Sequence, residues 1–97
     1  MNKVLELKHI KKNVHKVAKA NDIVRVSLFG SYAKGTETKD SDVDLFIEFK
    51  SRPISVFRIA KVKREFEEKI GKKVDVVVHP IRPGSLLEID KEIVLYG

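Results

Sequence analysis

The 97-residue chain contains no cysteine and no tryptophan. Without cysteine there is no disulfide framework and no thiolate metal site. Aromatic residues make up only 7% and are not interleaved with the basic runs, so no platform for stacking bases is visible. No apolar run approaches the roughly 18 residues that suggest a membrane span, and no membrane partner is expected. Lysines recur through the first twenty residues, which does not suit a secretory signal. Low-complexity tracts and long repeats are also missing. What remains is 42% apolar, enough for one core in one domain spanning residues 1–97, and the expected location is cytoplasmic.

The charge is asymmetric. Twenty Lys and Arg oppose fourteen Asp and Glu, a net of +6. Such a balance suits nucleotides, nucleic acid or an acidic protein. Fifteen of the twenty cations are lysines, however, and a lysine-rich surface without cysteine is also a habit of heat-stable proteins. Charge alone therefore does not select a polyanionic partner.

Hydrophobic periodicity predicts the elements. Val4, Leu7, Ile10, Val14, Val17 and Ala18 recur at helical spacing over residues 3–20. "IVRVSLF" (23–29) is rich in β-branched residues and alternates, as a strand does. A polar Gly-Ser loop precedes a second strand, "SDVDLFIEF" (41–49). Residues 54–70 form the next helix, with Val56, Ile59, Ala60, Val62, Phe66 and Ile70 on its apolar face and Gly71 as its stop. "VDVVV" (74–78) is a third strand, and "SLLEIDKEIVLYG" a short helix or a helix running into a terminal strand. The expected fold is α+β, a small mixed sheet with helices on one face, in the order α-β-β-α-β-α.

Alternation then places charge. Val43, Leu45, Ile47 and Phe49 share one face of the second strand, leaving Asp42 and Asp44 on the other. In the third strand Val74, Val76 and Val78 share a face and Asp75 points away. With strands about 4.8 Å apart, three carboxylates could meet at one spot. Carboxylates so close repel one another, and a hard divalent cation relieves that repulsion: Mg²⁺, or Mn²⁺ in its place. Two such ions can activate an attacking oxygen and stabilise a leaving one. Asp40, by contrast, suits a turn. An EF-hand is excluded, because its sixth and twelfth positions are Leu45 and Ser51 rather than Gly and Glu. A Walker A loop is excluded too, because Gly30 and Gly35 are followed by Thr36-Glu37 rather than Lys-Ser/Thr. The loop still has phosphate-binding traits: a close backbone approach at Gly30, the Ser31 hydroxyl, a helix start and the charge of Lys34.

Gly30-Ser31, the pair Asp42-x-Asp44 and a later Asp75 resemble the nucleotidyltransferase superfamily that includes DNA polymerase β. The form "GSYAKG…SDVDLFIEF…KKVDVVV" is similar to its minimal nucleotidyltransferase (MNT) branch, the antitoxin side of modules with HEPN-domain toxins. The resemblance spans about residues 23–78. It implies the polymerase β palm-like nucleotidyltransferase fold. It implies that Gly30 and Ser31, with Lys34 beside them, bind the triphosphate of an NTP, ATP being the expected one. It implies that Asp42, Asp44 and Asp75 are catalytic and bind two Mg²⁺ ions, Asp75 lying nearest the attacking hydroxyl. The implied chemistry is transfer of AMP to a hydroxyl of a HEPN toxin, which neutralises it. Two other readings stand beside it: masking of a partner without catalysis, and nucleotidyl transfer onto RNA. Only residues 79–97 follow the third strand, so a partner chain or a second copy is expected to complete the site, as a homo- or hetero-oligomer.

Other residues carry ordinary expectations. His9 and His15 are read as surface side chains, and His79 as a loop residue bordering the site. Tyr32 is expected to pack the short helix. Arg25 and Ser27 are expected to alternate outward on the site's face, with Arg25 a candidate phosphate contact. Phe57, Leu86 and Leu87 are candidates for a partner surface, though core packing is the plainer reading.

Overall fold

Helix α1 spans Leu7–Ala20 and buries Ile10, Val14, Val17 and Ala18, the stripe its periodicity dictates. The computed structural model describes residues 6–50, 54–78 and 92–97. Asn21 ends α1 by donating its side-chain amide to the Val17 carbonyl at 2.8 Å. Asp22 follows at φ 54°, a left-handed turn that a short polar side chain tolerates and that reverses the chain into β1, Ile23–Phe29. The one-turn helix α2, Ser31–Lys34, leads through a polar loop to β2, Val43–Phe49. Helix α3, Val56–Ile70, starts at Ser55, whose hydroxyl accepts from the Arg58 N–H at 3.1 Å. It stops at Gly71, where φ is 83° and the N–H bonds to the Glu67 carbonyl. Strands β3, Val74–Val78, and β4, Ile93–Tyr96, complete the described residues.

The four strands form one mixed sheet in the order β3-β2-β1-β4. β2 runs antiparallel to β1 and parallel to β3, and β4 is antiparallel to β1. One face carries Val26, Leu28, Val43, Leu45, Ile47 and Val74, all fully buried with Ile10 and Val14 of α1 and Val62 and Phe66 of α3. Burial of that apolar surface is the main stabilising term. Arg58 locks α3 to the turn after α1: its guanidinium donates to the Asn21 carbonyl at 2.8 Å and sits 5.4 Å from the centre of the Phe49 ring.

The expected mixed sheet with helices on one face is what the chain forms, and residues 93–96 are the terminal strand, one of the two forms expected for its end. Residues 84–91, including Leu86 and Leu87, lie outside the described residues, as does His79. Two helical positions depart from the expected core face. Val56 and Phe57, in the first turn of α3, are 78% and 88% exposed. Of the described histidines, His9 is exposed, as expected, and His15 half-buried, and both are tied to the fold. The His9 ring donates to the Ile70 carbonyl at 3.0 Å, and His15 donates to the Leu95 carbonyl at 2.9 Å while meeting the Tyr96 ring edge-on.

Candidate active site

The parallel pairing of β2 with β3 sets Val43 beside Val74 and Asp44 beside Asp75. Residues paired across a sheet share a face, so the pleat that buries Val43 and Val74 turns both aspartates to the side away from the helices. Their carboxyl groups lie within hydrogen-bonding reach of each other. The Asp44 carboxyl is accordingly pushed up to about 6, first by burial, then by the Asp75 charge and the bond to it, and last by Asp42.

Asp42 is half-buried and lies ahead of the first residue of β2. It acts on Asp44 through space. Among the described residues no group of three or more His, Asp or Glu side chains stands close enough to hold a metal ion. Asp44 and Asp75 stand side by side across the ladder, and Asp42, just ahead of β2, is near enough for its charge to act on Asp44. Asp40 sits in a turn built by Thr38 and Ser41, where its N–H meets the Thr38 hydroxyl at 3.3 Å.

Gly30 lies directly against Asp44. Its φ is 72°, and a Cβ there would lie 2.0 Å from the Asp44 Oδ2. No other residue type fits without displacing that carboxylate. The Gly30 carbonyl accepts from the Ala33 and Lys34 N–H groups, both at 3.1 Å. The N–H groups of Ser31 and Tyr32 precede these first bonds of α2 and are available to an anion. Ser31 is half-buried and Lys34 exposed, while Tyr32 is buried in the core as expected. The Gly30-Ser31 turn and the carboxylate pair thus share one corner of the sheet.

The structure moves two candidates away from that corner. Arg25 pairs with Glu48, four residues along β2 from Asp44, a separation of about 13 Å along the strand. Its guanidinium lies 3.8 Å from Glu92. Ser27 shares the face of Asp44 but is only 1% exposed, so it does not line an open surface. A bulge between Ile23 and Arg25 shifts the alternation near the start of β1, which a period-two pattern does not foresee.

The carboxylates fit a divalent cation by the chemistry of the donor set. Asp44 and Asp75 offer hard oxygens, and a cation would offset the repulsion between them.

Comparison with known proteins supplies an independent view. Residues 11–97 match the family described as polymerase beta, nucleotidyltransferase. The chain is 31% identical over 87 residues to a Methanocaldococcus jannaschii protein whose name provisionally assigns it protein adenylyltransferase activity, covering 86% of this chain and 92% of that one. It is 30% identical over 70 residues to protein adenylyltransferase MntA of Thermococcus cleftensis, 71% of this chain and 70% of the relative. A crystal structure of a toxin–antitoxin with AMP-PNP superposes with a TM-score of 0.76 at 20% identity, over 90% of this chain and 73% of that one. A tri-AMPylated Shewanella oneidensis HEPN toxin in complex with MNT antitoxin gives 0.70 at 16% identity, over 93% and 71%. At such identities the two structures show a common fold.

Proposed function

The chain belongs to the polymerase beta nucleotidyltransferase family, and from that premise we propose that it transfers AMP from ATP to a hydroxyl group of a HEPN-type toxin and so acts as its antitoxin. The observation that carries this reading is the contact between Asp44 and Asp75 beside the Gly30-Ser31 turn. Similarity to MntA of T. cleftensis supports the protein acceptor, and the likeness to toxin–antitoxin structures supports the partner's class.

In this reading the Ser31 hydroxyl and the first N–H groups of α2 hold the triphosphate, with Lys34 adding charge at the turn's far end. Asp42, Asp44 and Asp75 would hold two Mg²⁺ ions, which supply charge neutralisation at the phosphates and a more reactive acceptor oxygen. Asp75 is the more exposed of the paired carboxylates and faces the incoming hydroxyl. The acceptor oxygen attacks the α-phosphorus, its proton passes to a carboxylate or to water, and pyrophosphate leaves. Positioning and electrostatics do most of the work in such transfers.

The test is incubation of the chain with α-labelled ATP, Mg²⁺ and a HEPN partner. Label on the partner is expected. Ser31→Ala, which removes one charge-assisted hydrogen bond, should slow transfer roughly ten- to a hundredfold while leaving partner binding intact. A partner that is bound and inhibited without label would make the chain a mask. Label appearing on RNA instead would replace the protein acceptor.

A further inference from the structure

The Lys73–Val74 peptide, one residue ahead of Asp75, is held from both sides. Its carbonyl, on Lys73, accepts from the Val43 N–H at 3.0 Å. That donor belongs to the peptide between Asp42 and Asp44's neighbour Val43. The C=O and N–H of a trans peptide point in opposite directions, so the Val74 N–H turns away from β2. There it meets the Glu67 carboxylate of α3 at 3.0 Å. Val74 is 0% exposed, so no water can replace that acceptor. The main-chain carbonyl of Glu67 also accepts from the Gly71 N–H at 2.8 Å, which fixes the turn between α3 and β3. A second tether runs from the Lys72 ammonium to the Lys39 carbonyl, in the loop that carries Asp40 and Asp42.

We infer that Glu67 is a positioning residue for the carboxylate pair: it anchors a hydrogen-bonded chain, Glu67 to Val74 N–H and Lys73 C=O to Val43 N–H, that sets Asp75 against Asp42 and Asp44. The inference rests on the nucleotidyl-transfer reading of the site. A hydrogen-bond acceptor on the N–H polarises the peptide and strengthens that peptide's own carbonyl bond to β2. Without it, the buried Val74 N–H is unpaired and the peptide can rotate, shifting Val74 and with it the attached Asp75. Small displacements of a ligand are costly because metal affinity depends on all its donors meeting at one distance.

The test measures Mn²⁺ binding by titration calorimetry, together with kcat, KM for ATP and melting temperature. Glu67→Ala should weaken Mn²⁺ binding and lower kcat, each roughly tenfold, with little change in KM, since the phosphate turn lies on the far side of β2. Glu67→Gln keeps a carbonyl acceptor and should restore both. Glu68→Ala, at an exposed position one residue on, should match wild type. Wild-type Mn²⁺ affinity in Glu67→Ala, with only a lower melting temperature, would reduce Glu67 to a fold anchor and overturn the inference. So would a Glu67→Gln variant as defective as Ala. Should Glu67→Ala not fold, Glu67→Asp decides in the same way: weakened Mn²⁺ binding supports the inference and unchanged binding overturns it. A wild-type chain that binds no Mn²⁺ removes the metal-site reading and this inference with it, whereas normal wild-type binding and transfer with no effect in Glu67→Ala removes the inference alone.

Discussion

Strand β2 has two faces that answer to different physics. On one, Val43, Leu45 and Ile47 are fully buried and Phe49 nearly so. On the other, Asp44, Phe46 and Glu48 are half-buried, and Asp44 lies against Asp75 on β3. The apolar face contributes area removed from water. The carboxylate face costs stability, because two acids are held in contact where solvent cannot fully screen them. A strand alternates with period two, so both demands fit within seven residues. The difference teaches where changes are tolerated: the first face can lose only stability, and the second can lose its chemistry while the fold stands.

The sharpest way to break this comparison is Asp44→Asn. Transfer should fall below detection, since the pair loses a metal-binding charge. The melting temperature at pH 7 should hold or rise slightly, because the repulsion with Asp75 is relieved. Thermal melts alongside the labelled-ATP assay check both. Activity retained together with a clear loss of stability would make Asp44 structural and merge the two faces.

Next in size is Leu45→Ala, one residue on and facing the core. It should cost about 2–5 kcal/mol of stability through lost burial and the cavity left behind. Denaturant unfolding measures this. The molecules that remain folded should still bind Mn²⁺, and a loss of binding out of proportion to unfolding would show that the faces are coupled.

The smallest effect is a pH dependence. Asp44 titrates near 3.8 in the unfolded chain and at about 6 in the folded one, so the native state holds the proton more tightly. Its contribution is fully present below the unfolded value and is lost as pH rises through about 6. In metal-free buffer, melting temperature should therefore carry a falling component between about pH 4 and pH 6 that Asp44→Asn removes. Mn²⁺ at pH 7 should raise the wild-type melting temperature by binding the native state, and should do so less well as pH drops through 6. An identical pH slope in wild type and Asp44→Asn would remove Asp44 as its source.

The readable parts of this protein were those set by near neighbours in the chain. Spacings of three and four placed α1 and most of α3; alternation placed β1, β2 and β3; Gly71 ended α3. Asp44 and Asp75 were legible as site candidates because each sits out of phase with a row of apolar residues on its own strand. Gly30 was legible beside Ser31, and the near-contact with the Asp44 oxygen explains why a glycine is required. Only the folded chain decided the rest. The parallel register that sets Asp44 against Asp75, and not against Val74 or Val76, depends on pairing between segments some thirty residues apart. The role of Glu67 depends on which way one peptide faces. Burial of Ser27 and exposure of Phe57 depend on what else packs there. Periodicity reports the environment a segment needs, averaged over a turn or a pleat; register, strand order and single hydrogen bonds are set by contacts between distant segments, for which no local pattern carries the information.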